Sequence, residues 1–95
     1  MKKAEKLHLS KVARLGCIAC SKIGYEDTPA EIHHIKKGMM GKRATNYEVL
    51  PLCPHHHRTS NESYHLNPKW FTDKFGTQEE LLEEVNLRLY GKSKN

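Results

Sequence analysis

Ten side chains able to bind a transition metal, seven histidines and three cysteines, stand in this chain of 95 residues, and most fall in three short stretches. Leu52-Cys53-Pro54-His55-His56-His57 packs four of them together, Cys17-Ile18-Ala19-Cys20 holds two, and His33 and His34 are adjacent. Thiolate and imidazole suit borderline-soft ions such as zinc. Cys17 with Cys20, spaced C-x2-C, and Cys53 with His56, spaced C-x2-H, are two half-sites that can each place two ligands on one tetrahedral ion. A structural zinc there would contribute on the order of 10 kcal/mol to folding, comparable with the whole stability of a small domain. His55 competes with His56 for the fourth position. The plainer reading is three free cysteines that pack as small apolar side chains.

His57 directly follows His56. Neighbours on a helix point about 100° apart, so these two imidazoles are expected to face different sites, His57 turning toward His33 and His34. On an undistorted strand His33 and His34 face opposite sides, so bringing both to one site requires the backbone to lose its regularity there. Such a histidine set offers metal binding, and a neutral imidazole can take a proton from water. Against this stands the reading of surface or core histidines without a chemical task. His8 receives no role.

Elements must hold these stretches together. A loose basic tail is expected over residues 1–6, then a short helix carrying Leu7, Val12 and Leu15, with Ser10 as its N-cap and Gly16 as its stop. The CxxC is expected in a tight turn, followed by the turn-rich connector Gly24 to Pro29. Ala30 to Ile35 reads as one strand and Glu48 to Leu52 as another. Between them Lys36 to Arg43 is a basic loop with two glycines. A helix begins near Pro54, since proline is tolerated in a first helical turn. Asn67-Pro68 opens another helix, ended by Gly76, and Thr77 with Glu80 forms a capping box for a last one from Gln78 to about Tyr90. Leu81, Leu82, Val85 and Leu89 recur at helical spacing as core, with Glu79, Glu80, Glu83 and Glu84 as a solvated face. The expected domain covers residues 7–91, with a short tail over 92–95.

Composition narrows the class. The chain is one small domain, 37% hydrophobic with a net charge of +5, and such short chains commonly need a metal or disulfides beside their core. Three cysteines cannot all pair internally, which favours zinc chemistry and a reducing cytoplasmic setting. No signal peptide and no membrane span are expected. Residues 1–58 hold 11 Lys/Arg against 5 Asp/Glu, and residues 59–95 hold 5 against 6. The positive charge therefore sits with the ligand residues, as a surface for phosphates would require. Solvated lysines account for the same numbers.

These motifs carry a resemblance. Gly-Cys-Ile-Ala-Cys, Glu-Ile-His-His-Ile, the segment Leu52 to Thr59 and Phe-Gly-Thr-Gln-Glu-Glu-Leu-Leu together resemble the HNH endonucleases of ββα-metal fold with an added zinc knuckle. Within them the chain is most similar, from about His8 to Tyr90, to the phage recombination-enhancement, RecA-dependent nucleases. The resemblance implies an α+β domain, a small zinc-stabilised ββα-metal unit with flanking helices, that hydrolyses DNA phosphodiesters with one divalent ion. By position, His34 matches the general base, His33 the ligand before it and His57 the ligand opening the helix. A further ligand is His65 or Asn61, with His65 the better donor. Lys36, Lys37, Lys42, Arg43 and Arg58 would hold the DNA backbone. The ion in function would be magnesium or manganese, although imidazoles also suit zinc.

Two positions depart from the pattern. Where the family's asparagine falls the chain has Glu48, and Asn46 stands two residues earlier, so either Glu48 substitutes or the strand shifts. The longer basic N-terminal region of the relatives is reduced to Lys2, Lys3 and Lys6, which bears on any use of a RecA filament. The rival from another class is a zinc-stabilised DNA- or recombinase-binding module in which His33, His34 and His57 do nothing chemical.

Overall fold

The computed structural model describes residues 2–35 and 44–91. Its elements are α1 (Lys3–Leu15), α2 (Ile18–Lys22), β1 (Glu31–His34), β2 (Val49–Leu52), a π-helical turn (His55–Thr59), α3 (Pro68–Phe75) and α4 (Gln78–Tyr90). This is a small α+β arrangement of one antiparallel β1–β2 pair surrounded by helices.

Strand β2 is the centre of the packing. All four of its residues are buried, and α1, α2, α4 and β1 all lie against it. Ile32 faces Pro51 and His33 faces Leu50 across the pair. Beyond the strand ends, the Ile35 amide donates to the Glu48 carbonyl at 3.0 Å. Hydrogen-bonded and non-bonded pairs alternate in an antiparallel ladder. By that alternation Pro51 falls at a non-bonded position, where its missing N–H takes nothing from the ladder. Val12, Ile18, Val49, Leu50, Leu52, Phe71, Leu81 and Val85 form the core around this strand.

Two expectations about the first third are corrected. Helix α1 starts at Lys3, not at Leu7, so residues 3–6 are helical and Ser10 lies inside the helix. Ala4, Glu5 and Lys6 are strong helix formers, while His8 and Val12, one turn apart, are the residues the helix buries. The CxxC is the start of the short helix α2 instead of a simple turn. Cys17 is its N-cap, with its sulfur accepting from the Cys20 amide at 3.4 Å. Gly16, at φ 85, makes the bend between the two helices. A Cβ there would stand 3.2 Å from the Asp27 backbone, and the Cys17 amide bonds the Thr28 carbonyl at 2.9 Å. The connector thus closes over the knuckle through a position that only glycine fills without strain.

The second half follows the sequence expectation closely. Asn67 caps α3 with Pro68 in the first turn. Thr77 and Glu80 make both bonds of the capping box on α4. Leu81 and Val85 are buried, and Leu82 and Leu89 are half-buried against the core. Of the four glutamates, Glu84 is not simply solvated: it pairs with Lys22 of α2 at 3.0 Å and with Arg88. Among the described residues no helix is long and apolar enough to cross a membrane.

Candidate metal centres

The π-helical turn divides its histidines between two places. His56 is buried, His57 is half-buried and His55 is exposed. The wider turn is held by side chains: the Thr59 hydroxyl donates to the Pro54 carbonyl at 3.1 Å and the Ser60 hydroxyl to the His55 carbonyl at 2.8 Å. Such turns recur where a helix must aim side chains at a site.

The four donors of Cys17, Cys20, Cys53 and His56 lie together, all of them on buried residues. The Cys20 and Cys53 sulfurs are 3.7 Å apart, and His56 Nδ1 stands 3.8, 3.5 and 3.4 Å from Cys17, Cys20 and Cys53. With Zn–S of about 2.3 Å and Zn–N of about 2.0 Å, the edges of a zinc tetrahedron are about 3.8 Å for S to S and about 3.5 Å for S to N. The four side chains therefore have the spacing of a zinc shell, which three thiols packed as apolar groups would not need. Burial pushes the Cys17 thiol up to about 12 and the Cys20 thiol up as well. It pushes the His56 imidazole down, a shift that His55 reinforces, and so favours the neutral ring a metal needs. His55 instead meets Glu62 at 2.7 Å in the open. His55, His56 and Glu62 also stand close together. However, a neutral imidazole has one lone pair, and His56 directs Nδ1 at the thiols.

His33, His57 and His65 bring their donors together in a second group. Ring centroids are 5.1 Å apart for His33–His57, 5.8 Å for His33–His65 and 4.9 Å for His57–His65. His33 is buried, His57 half-buried and His65 exposed, so the group grades from core to solvent. His65 reaches it because the chain folds back on the π-helical turn. The Tyr64 amide bonds the His56 carbonyl at 2.9 Å and the His65 amide the His57 carbonyl at 3.1 Å. Asn61, the alternative one turn after His57, lies exposed in the turn between them.

Neighbouring groups orient two of the rings. Gln78 Oε1, at the start of α4, accepts from His33 Nε2 at 2.9 Å, which puts the lone pair of a neutral His33 on Nδ1. Glu31 Oε1 accepts from His57 Nδ1 at 2.8 Å, leaving the lone pair on Nε2. Carboxylate and carbonyl partners of this kind fix the tautomer of metal-binding histidines. Arg58 grips the same carboxylate at 3.0 and 2.7 Å. That grip, with the His57 bond, holds the Glu31 carboxyl at about 2. Arg58, expected on the DNA backbone, thus has a protein partner.

His34 stands apart from the three. Strand β1 stays regular, with His33 buried and His34 exposed on the other side. Its Nε2 meets Asn46 Oδ1 at 2.9 Å. The asparagine side chain that reaches His34 is therefore Asn46, while Glu48 accepts the Thr45 amide at 2.9 Å within the approach to β2. Lys36, Lys37, Lys42 and Arg43 lie outside the described residues. Glu31 and Gln78, the two partners of the histidines, carry no site signal of their own in the sequence. Glu31 sits two residues before His33 as strand periodicity would place it, whereas nothing local marks Gln78.

The family model for recombination enhancement, RecA-dependent nucleases matches residues 3–89. No curated protein matches the chain. The chain belongs to the family of RecA-dependent nucleases of recombination enhancement.

Proposed function

For a member of that nuclease family, we propose an endonuclease of the ββα-metal (HNH) kind that cuts DNA phosphodiesters with one divalent ion, and whose fold is fixed by a separate structural zinc. The observation that supports this reading is the separation of the two donor sets. One is a buried Cys3His shell with no open side. The other is a three-histidine set whose third ligand is exposed, as a catalytic site that must admit substrate requires.

His33, His57 and His65 would hold the catalytic ion, magnesium or manganese in function although the imidazoles also accept zinc. When bound, the ion stabilises charge on the phosphate and on the leaving 3′ oxygen. His34, exposed and next in sequence to the ligand His33, takes the proton from the attacking water. The Asn46 contact at Nε2 leaves Nδ1 as the basic nitrogen. Lys36, Lys37, Lys42 and Arg43, between the strands, hold the flanking backbone of the DNA by charge. The domain spans residues 7–91 together with the first turn of α1, and works in the cytoplasm on DNA associated with a RecA filament.

The test is His34→Ala, assayed on single-stranded and duplex DNA with and without RecA filament. Cleavage is lost while two ions per chain and the fold remain. Cleavage retained by H34A would remove His34 from the role. One ion per chain, with DNA binding but no cleavage under any metal, would leave a zinc-stabilised binding module.

A further inference from the structure

A line of hydrogen bonds reaches His34 from the first turn of α1. Asn46 Nδ2 donates to Glu5 Oε1 at 2.8 Å, and Asn46 Oδ1 stands 2.9 Å from His34 Nε2. Glu5 lies in the first turn of α1 and Asn46 just before β2, with Glu5 and Asn46 both half-buried. Helix α1 packs on both strands, so the backbone that carries Glu5 is fixed relative to His34.

The two bonds are not independent. A primary amide offers donors at one end and an acceptor at the other, and either end can satisfy a neutral imidazole. With its oxygen toward Nε2, Asn46 requires the Nε2–H tautomer. With its nitrogen there, it requires the proton on Nδ1. Alone, Asn46 would therefore permit both. A carboxylate accepts and does not donate, so Glu5 draws the Asn46 nitrogen to itself and turns the oxygen to His34.

We propose that Glu5 is a positioning residue which, through the polarity of the Asn46 amide, holds His34 in the Nε2–H tautomer with its lone pair on Nδ1. This rests on the reading of His34 as the base for its catalytic consequence, but not for the tautomer itself. It also gives the first turn of α1, expected from sequence to be a loose tail, a task at the site.

The discriminating variant is Glu5→Gln. Glutamine keeps the size and can still bond Asn46, but it donates as well as accepts, so it removes the direction and not the contact. Nitrogen-15 spectra of the zinc-loaded full chain, at mildly alkaline pH without DNA, read the His34 tautomer directly. The wild-type protein shows Nε2–H alone, E5Q shows a shift of both ring nitrogens toward a mixture, and its melting temperature is unchanged. In Glu5→Ala, where Asn46 also loses its anchor, kcat for DNA cleavage falls about 10-fold, part of the roughly 10²–10⁴-fold that a general base supplies, with KM little changed. A wild-type His34 protonated on Nδ1, or ring nitrogens unmoved in both E5Q and E5A, would overturn the proposal. Because the tautomer is read without substrate, its result is independent of that with H34A, which bears on the base reading alone.

Discussion

Gln78 Oε1, in the first turn of α4, lies 2.9 Å from His33 Nε2 on β1, across 45 residues of sequence. Both residues are buried. A helix that otherwise buries Leu81, Val85 and Asn86 thus opens on a side chain that sets the direction of the His33 ring. Replacing Gln78 by Leu removes the acceptor while keeping most of the volume. We expect the affinity of the three-histidine site for manganese or zinc to fall about 10–100-fold, the usual effect of losing such a partner. The zinc of the Cys3His shell stays bound. Isothermal titration of protein already loaded at that shell measures it, and unchanged affinity at the second site would remove Gln78 from this role.

Arg58 and Glu31 can be separated by how their variants fail. If Arg58 acts through Glu31, Arg58→Ala lowers metal affinity and leaves the salt dependence of DNA binding unchanged. If it acts on phosphate, R58A weakens DNA binding for all sequences and reduces the salt slope by about 1. The bidentate grip on Glu31 favours the first outcome. Glu31→Ala, which also frees His57 Nδ1, should then be worse than R58A in metal affinity.

The Cys3His shell should control folding. Zinc binds thiolates, so binding must displace the protons that free thiols, with an ordinary value of about 8.5, still carry near neutral pH. Titrating zinc into reduced, metal-free protein in weak buffer near neutral pH should release at least two protons per ion. Release should decline as the pH is raised toward that of the free thiolates, since fewer protons remain to be displaced. Cys53→Ser or a strong chelator should abolish the cooperative thermal transition, because the shell joins α2 to the π-helical turn. A chain that keeps its full melting transition without zinc would show that the apolar core suffices.

Helix α4 offers a test of stability away from both centres. Leu81→Ala empties a buried position and is expected to cost about 2–5 kcal/mol. Thr77→Ala removes the capping box and is expected to cost about 1 kcal/mol. Chemical denaturation of the zinc-loaded protein measures both, with L81A the larger loss. A reversed order would mean that the helix is held more by its cap than by its packing.

The ligand types, their half-site spacing and the helices that local signals mark are all legible in the chain before it folds. C-x2-C and C-x2-H can be read directly because each pair lies within one turn, where covalent geometry fixes the distance. The caps of α3 and α4 are equally local: Asn67 and Thr77 bond amides three residues away. The family resemblance rests on the same short motifs.

Which histidine goes where, and what holds it, depends on the folded arrangement. His56 over His55 follows from which ring is buried against Cys17, Cys20 and Cys53, and His65 over Asn61 from a loop that returns along the π-helical turn. Asn46 at His34, Glu31 under Arg58 and Gln78 behind His33 all depend on contacts between distant segments. A hydrogen bond is satisfied by any suitable group brought within about 3 Å, and packing around β2, not sequence proximity, brings these groups there.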